Sequence, residues 1–221
     1  MEALVIQSFN VIVDFCLFES FDRKAAAQDH RPERFCYDNF LSHSTLNTME
    51  QSRRQFFLLI QNIGFIPSSV RYEQSESAPF NKNKSNVELI RCILVASFSP
   101  NVVCVPREKR GPVLSTRVGD LDFVSSKGTV HVHPSSSLFA SGHLDSPYGV
   151  FYEAVLTKRI YLRDLNTATP PMLLLFCSSL KVWESSVLMV ADGWLAFKSN
   201  AKTISAIISI RGSFDVRCVL F

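Results

Sequence analysis

His131 and His133 are the two residues whose type and spacing come closest to metal chemistry. Residues two apart on a strand share a face, so both imidazoles could reach one ion. A complete site needs one or two further ligands, and Cys104 or His143 would supply them only by an accident of folding. Two polar side chains on one exposed sheet face explain the pair more simply, so we expect no metal and no other cofactor.

A second possible chemistry is the neutralisation of phosphates by a basic cluster, which consists of Lys158, Arg159 and Arg163. A solvated strand face explains this basic cluster equally well, and both interpretations stay open. The formal net charge of the chain is only +3, which is compatible with an RNA-contacting surface and does not require one. The DGW sequence at 192–194 predicts a tight turn that leads into a strand, with Trp194 packed in the core in preference to stacking on a base.

Four compact motifs of catalysis are absent from the sequence. There is no G-x-x-x-x-G-K-[ST] loop to hold nucleotide phosphates and no DExH or DEAD string to hold magnesium. The G-x-S-x-G and H-E-x-x-H patterns of serine and zinc hydrolases are absent too. The six cysteines include no C-x-x-C pair, and we expect them to be buried thiols in a reducing compartment. The chain alone is therefore predicted not to be an enzyme.

Helical periodicity marks the first part of the chain. Residues 31–66 are predicted to be helical, because apolar residues recur there at spacings of three and four. Gly64, followed by Pro67, is the predicted stop, and Ser42 or Ser44 is the predicted cap. One face of this helix is predicted to carry Phe56, Leu59, Ile60 and Ile63.

A polar stretch and a second helix follow. Residues 71–86 are polar and contain a proline, which predicts a linker or an exposed loop. The second helix ends before Pro100, where the proline breaks the pattern. Its inward residues are predicted to be Val87, Ile90, Leu94 and Val95.

From residue 102 the pattern changes to short strands separated by turn residues, which predicts a small barrel or sandwich. The predicted strands are 102–105, 121–124, 129–133, 150–156, 160–162, 173–176, 187–190 and 194–197. The predicted breaks between them are at 110–112, 127–128, 145–147, 170–171 and 192–193. Residues 202–211 return to helical spacing, with Ile204, Ile207 and Ile208 on one side. The predicted fold class is α+β.

The apolar run at residues 3–18 raises the question of a signal peptide or a membrane span. Glu2 stands where a signal peptide carries positive charge, and polar residues interrupt the run. The run is also shorter than the roughly 20 apolar residues of a spanning helix. We therefore expect a buried helix or strand here, no membrane association, and a cytoplasmic protein, with the nucleus as the alternative.

Seven motifs, taken together and in order, resemble one known family. They are FCYDNFLS (35–42), SRRQFFLLIQNIGF (52–65), RCILVASFSPNV (91–102), GTVHVHPSS (128–136), RIYLRDL (159–165), PPMLLLF (170–176) and DGWLAF (192–197). This series is similar to the C-terminal helicase-associated and OB-fold region of the DEAH/RHA group of RNA helicases, and it covers roughly residues 30–211. Residues 1–25 and 212–221 depart from the family pattern, so we expect a fragment without the motor domains.

The resemblance implies a division of the chain and a role for it. Residues 1–25 would be a non-family segment, 26–99 a helical remnant of the ratchet-like domain, 100–200 an OB-like β-barrel, and 201–221 a C-terminal helix and tail. In the family, all nucleotide chemistry belongs to two RecA-like domains that are absent here. The region present would contact single-stranded RNA without catalysing ATP hydrolysis.

The resemblance also implies where RNA would bind. The predicted contacts are Lys127, His131, His133, Ser135 and Ser136, with Tyr152, Lys158 and Arg159 on the segment that follows. Ordinary turn chemistry explains the two serines equally well. The alternative function is a protein–protein docking module, whose partner would be an activator protein or the helicase motor domains.

Overall fold

The computed structural model describes residues 32–110, 117–136, 138–139, 144–183 and 188–219. These residues form two compact units, of which the first ends at Asn86 and the second begins at Val87. The described part of the first unit is helical, and that of the second combines ten strands with three α-helices. The predicted α+β class is therefore confirmed. The predicted domain limits remain predictions, and the segment 1–25 lies outside the described residues.

The first unit contains two α-helices, α1 (Pro32–Asp38) and α2 (His43–Asn62), where the sequence predicts one helical stretch. The chain turns at Phe40, which has a φ of 56°. The backbone N–H of Leu41 donates to the carbonyl of Cys36 at 2.7 Å, a bond that closes the end of a helix. This local ending of α1 explains the break, and periodicity alone does not reveal it.

Both predicted ends of α2 are confirmed. The side chain of Ser42 accepts a hydrogen bond from the backbone N–H of Thr45 at 3.3 Å, so Ser42 is the cap. At the other end Gly64 has a φ of +91°, a conformation that suits glycine. The N–H of Phe65 then donates to the carbonyl of Ile60 at 3.2 Å and completes the stop.

The apolar face predicted for α2 is present and exposed. The buried residues of this helix are Leu46 and Phe57 instead. Residues 71–86, the predicted linker or loop, form two short 3₁₀ turns that follow α2. The ring of Tyr72 meets Phe57 edge-on at 5.5 Å, and its hydroxyl donates to Oε2 of Glu50 at 3.0 Å. The loop thus packs on α2 and covers Phe57, which leaves the predicted face outside.

The second unit begins with α3 (Val87–Phe98), the predicted second helix. Val95 is fully buried, and the other three predicted inward residues are half-buried, which confirms the prediction. The helix ends before Pro100, as predicted.

A seven-stranded sheet follows and curls into a half-barrel. Its strands are β1 (Val102–Cys104), β2 (Asp122–Ser125), β3 (Gly128–Val132), β4 (Tyr148–Val150), β5 (Glu153–Leu156), β6 (Ile160–Arg163) and β7 (Asn166–Ala168). They are arranged in the order β5-β6-β3-β2-β1-β4-β7, and all neighbours are antiparallel except β3 and β6, which run parallel. Four predicted strands are confirmed as β1, β2, β3 and β6. The predicted strand 150–156 is wrong as one element, because the chain leaves the sheet at Phe151 and re-enters it as β5.

The predicted strand 173–176 is also wrong, because these residues belong to the helix α4 (Pro170–Phe176). Pro170 and Pro171 occupy its first turn, where a missing N–H costs nothing. The two prolines therefore start a helix, whereas the sequence analysis took them only as a break between strands. The residues after them are apolar on every side because α4 is buried, and a short apolar run does not distinguish a buried helix from a strand.

A small antiparallel sheet and a long helix complete the second unit. The sheet has the order β10-β9-β8, with β8 (Leu180–Trp183), β9 (Leu188–Ala191) and β10 (Leu195–Lys198). Strands β9 and β10 were predicted, whereas β7 and β8 were not. The final helix is α5 (Ala201–Val219), which confirms the predicted helical segment. Of the three isoleucines predicted to share its inner side, Ile204 and Ile207 are buried and Ile208 is 45% exposed.

The half-barrel sheet packs differently on its two faces. One face carries Phe123, Val130, Val132 and Leu162 into a core of its own. The opposite face, at β1, β4 and β7, packs against residues of α3, α4, the small sheet and α5 in a second core. Val124 of β2 also packs against that second core. Beyond it the same face of the sheet is polar or aromatic, and this part of the surface, called the open face below, is formed by Asp122, Thr129, His131, Tyr161 and Arg163. Most of the predicted contacts lie on the open face or in the turns at its two ends.

Candidate nucleic-acid interface

Strands β3 and β6 position the centre of the open face. In their parallel register His131 lies opposite Tyr161, and Val132 lies opposite Leu162. Side chains alternate along a strand, so Val132 and Leu162 point into the core while His131 and Tyr161 share the other face. The pairing brings together two segments that are thirty residues apart in the sequence.

Three rings meet on the open face. The centroids of His131 and His133 each lie 6.0 Å from the centroid of Tyr161, at interplanar angles of 46° and 85°. The two histidines therefore share a face, as the sequence analysis expected of a strand. Tyr161 was not predicted. The alternation of apolar and polar residues in Ile160-Tyr161-Leu162-Arg163 would have indicated it.

Asp122 adds a carboxylate beside His131. Its Oδ1 lies 3.2 Å from Nδ1 of His131, and Nζ of Lys109 donates a hydrogen bond to its Oδ2. That hydrogen bond is the largest reason why the pKa of Asp122 is lowered, and the charges of Lys109, His131 and Arg159 lower it further. Asp122 thus stays ionised and fixes one edge of the ring cluster.

The HPSS turn continues from β3 and holds His133 in one orientation. The N–H of His133 donates to the carbonyl of Leu162 at 2.9 Å, which extends the pairing beyond the strand. The N–H of Ser135 donates to Nδ1 of His133 at 3.1 Å. Because Nδ1 accepts this bond, the ring proton of a neutral His133 is on Nε2, which can act as a donor. Ser135 is exposed, whereas Ser136 is buried and donates its N–H to the carbonyl of His133.

Three predicted cations lie at one end of the open face. Lys127 is exposed in the turn between β2 and β3, and Lys158 and Arg159 are exposed in the turn between β5 and β6. Since β3 and β6 are parallel neighbours, the residues just before them lie at the same end of the sheet. His133 and Ser135 follow β3 and lie at the opposite end.

Tyr152 and Arg163 lie near that opposite end. Tyr152 is 39% exposed and its ring packs at 5.8 Å against Phe98 of α3, apart from the ring cluster on β3 and β6. Nη1 of Arg163 is 3.6 Å from Oε2 of Glu153, and both side chains are about half exposed. Nε of Arg163 is buried and has no hydrogen-bond acceptor among the described residues.

The turn at Asp192 and Gly193 is structural. Their φ values of 48° and 81° form a tight turn between β9 and β10, and Trp194 packs against the core, as predicted. The carboxylate of Asp192 accepts hydrogen bonds from Ser99 Oγ at 2.7 Å and Ser178 Oγ at 2.7 Å. The turn therefore ties the small sheet to the end of α3.

No group of three or more His, Cys, Asp and Glu side chains is arranged to hold a metal ion within the described ranges, which leave out His143. Cys36, Cys104 and Cys177 are buried free thiols, and Cys92 is a half-buried one. Burial raises the pKa of each of these thiols. None of the helices in the described part of the chain has the length and apolar character needed to cross a membrane.

The class of this domain follows from its match to a family model. Residues 90–180 match the model of the oligonucleotide/oligosaccharide-binding (OB) fold, which includes α3, the half-barrel sheet and α4. The predicted OB-like architecture is therefore confirmed.

Several ATP-dependent RNA helicases are similar to this chain. The chain is 31% identical over 185 residues to the DExH-box ATP-dependent RNA helicase DExH1 of Arabidopsis thaliana, a match that covers 82% of this chain and 17% of that protein. It is 28% identical over 241 residues to the putative ATP-dependent RNA helicase DHX57 of Mus musculus, covering 93% of this chain and 16% of that protein. It is 24% identical over 196 residues to the ATP-dependent DNA/RNA helicase DHX36 of Bos taurus, covering 87% and 19%. The chain thus spans less than a fifth of the length of these relatives. The resemblance to the OB-fold region of DExH/DEAH-box RNA helicases is confirmed.

Proposed function

We propose that the chain is an RNA-binding accessory region that contacts single-stranded RNA and does not itself hydrolyse ATP. The observation that carries this proposal is the parallel pairing of β3 and β6. It gathers Lys127, Lys158 and Arg159 at one end of the open face, a short run of positive charge beside a row of rings. OB folds that bind single strands combine a basic groove with aromatic side chains in this way.

The predicted contacts have different roles in the proposed binding. The three cations neutralise phosphates and supply the salt-sensitive part of the affinity. At the opposite end, Nε2 of His133 donates a hydrogen bond to a phosphate or sugar oxygen. The hydroxyl of Ser135 donates to Nδ1 of His133 at 2.6 Å, so its oxygen contacts the strand by accepting from a ribose hydroxyl. His131 lies between the two ends. Ser136 is buried and its N–H donates to the carbonyl of His133 at 2.9 Å, so it acts by shaping the turn that presents His133, and Tyr152 is a contact at the margin.

ATP chemistry would come from elsewhere in a longer helicase polypeptide. The proposal is supported by the sequence, which has neither the phosphate-binding loop nor the DExH string with which helicases hold nucleotide phosphates and magnesium. The relatives are named ATP-dependent helicases, and the matched part of this chain covers less than a fifth of the length of each. We propose a cytoplasmic location, with the nucleus as the alternative.

The experiment is a titration of labelled single-stranded RNA with purified, folded chain across a salt series. We expect log affinity to fall linearly with log salt, as phosphate contacts require. The same preparation is expected to show no RNA-stimulated ATP hydrolysis. A folded chain without RNA affinity at low salt would refute the proposed RNA binding. Measurable ATP turnover would refute the proposal that the chain does not hydrolyse ATP.

A second candidate function is a docking module for helicase motor domains or for an activator protein. A specific observation favours it, because the predicted face of α2 is exposed, with Phe56 at 56%, Ile60 at 42% and Ile63 at 62%. Apolar residues grouped in this way mark protein interaction surfaces. The test is recovery of a helicase motor fragment by the immobilised chain after nuclease treatment. Loss of that recovery in Phe56→Ser/Ile63→Ser would support docking, and unchanged recovery in this variant would exclude the α2 face.

A further inference from the structure

Strand β6 carries Tyr161, which is not among the predicted contacts. Tyr161 and Arg163 are two positions apart within β6, so their side chains share one side of the strand and lie roughly 7 Å apart along it, from the rise of roughly 3.3 Å per residue. Arg159 lies in the turn just before β6, and its charge helps to lower the pKa of Asp122, the residue opposite His131 on the open face. A cation therefore lies at each end of the strand that carries the ring.

The surroundings of Tyr161 hold its ring in place without enclosing it. The ring centroids of His131 on β3 and of His133 just after it each lie 6.0 Å from the ring centroid of Tyr161, and the tyrosine remains partly exposed. On the far side of the sheet Leu162 is fully buried, which fixes the strand beneath the ring. A ring packed beside two neighbours in this way keeps its orientation, so its exposed part can meet a base at a small entropic cost.

The two arginines are available to a backbone that passes over this ring. Arg159 is exposed in its turn. Arg163 pairs with Glu153 across 3.6 Å between half-exposed side chains, a geometry that contributes little to stability. Its guanidinium can therefore exchange this carboxylate for a phosphate with little loss.

We infer that Tyr161, supported by His131 and His133, is a stacking platform for one nucleobase of a bound single strand, and that Arg159 and Arg163 hold the phosphates on its two sides. This inference rests on the proposed function and adds to it a residue that the sequence analysis did not include. The ligand class is a single-stranded oligonucleotide, read through the π-face of a base and without a preference among bases.

The test compares two probes of equal length, an oligoadenylate and an abasic ribose-phosphate oligomer. Tyr161→Ala is expected to weaken binding of the oligoadenylate about tenfold, within the range of base–aromatic stacking. It is expected to leave affinity for the abasic oligomer and the salt slope of both probes unchanged. Tyr161→Phe keeps the ring and should retain affinity for the oligoadenylate. Tyr161→Leu keeps apolar volume without an aromatic face, and it takes the place of the alanine variant if that variant does not fold.

The outcomes separate the platform from the proposed function. Wild-type chain that binds the oligoadenylate, with no loss in Tyr161→Ala and Tyr161→Leu, overturns the platform and leaves RNA binding intact. Equal losses on both probes also overturn it, because the tyrosine then supports the fold of the site. Wild-type chain with no affinity for either probe at low salt overturns both.

Discussion

Removal of Lys158 and Arg159 together should make the affinity for single-stranded RNA less dependent on salt concentration. The wild-type chain has three exposed cations at this end of the open face. Arg163 at the other end is the fourth proposed phosphate contact. Each phosphate contact on a single strand contributes about −0.7 to the slope of log affinity against log salt, so four contacts give about −2.8 and roughly a 50-fold loss of affinity from roughly 50 to 200 mM salt. In Lys158→Ala/Arg159→Ala two contacts remain, and the slope should fall in magnitude to about −1.4, a loss of about sevenfold over the same range.

The assay is fluorescence anisotropy of a labelled single-stranded RNA at several salt concentrations. The matched control is Lys181→Ala/Lys202→Ala, which removes the same charge from exposed positions on β8 and α5. We expect the control to keep the wild-type slope. An unchanged slope in the first variant, or an equal change in both, would show that net charge rather than this end of the sheet governs binding.

Two further predictions concern stability. Phe57→Ala should lower the free energy of unfolding of the first unit by about 3 kcal/mol, because Phe57 is 8% exposed and contacts Tyr72, whereas Phe56→Ala, at a 56% exposed neighbour, should change it by less than about 0.5 kcal/mol; equal urea midpoints for the two variants would contradict this packing. Asp122→Asn should be less stable than wild type by under about 1 kcal/mol at neutral pH, since the ion pair with Lys109 is screened by solvent. The pKa of Asp122 is lowered in the folded state, so this difference is present above the unfolded value of about 3.9 and is lost as the pH falls through the folded value. Urea unfolding of both chains at neutral and at strongly acidic pH measures it, and a difference that persists in acid would assign it to packing.

Local signals in the sequence were sufficient for both ends of α2. Ser42 caps α2 through its own hydroxyl, and Gly64 ends it because of a positive φ, so both effects are encoded within a few residues. The error at α4 has a physical reason. Buried on all sides, Leu173 and its neighbours have no polar face to reveal a helical period, and only Pro170 at the first turn carried the correct signal.

The candidate site was predictable in its parts but not as an arrangement. The HVHP segment and Lys158-Arg159 were both identified, yet their adjacency depends on β3 pairing with β6 in parallel. Such a pairing joins distant segments, and nothing in the local pattern of either strand specifies its partner. The alternation around Tyr161 indicates which face its ring is on, but not that His131 lies opposite it and His133 beside it. The apolar face of α2 was predicted correctly from its periodicity. Periodicity alone does not say whether other residues will pack on such a face, and in this structure the face is exposed.

The parallel pairing of β3 and β6 also couples folding to binding. Because the interface is assembled from two distant segments, the unfolded chain contains the cations and rings without their arrangement. A ligand of this surface therefore binds the native state alone, and by mass action it raises the free energy of unfolding by about 2.7 kcal/mol at a concentration one hundred times its Kd. A rise in melting temperature with RNA concentration, absent with inorganic phosphate, would report occupation of the assembled sheet. In a cell, the lifetime of the folded chain would then depend on how much of it is held on single-stranded RNA.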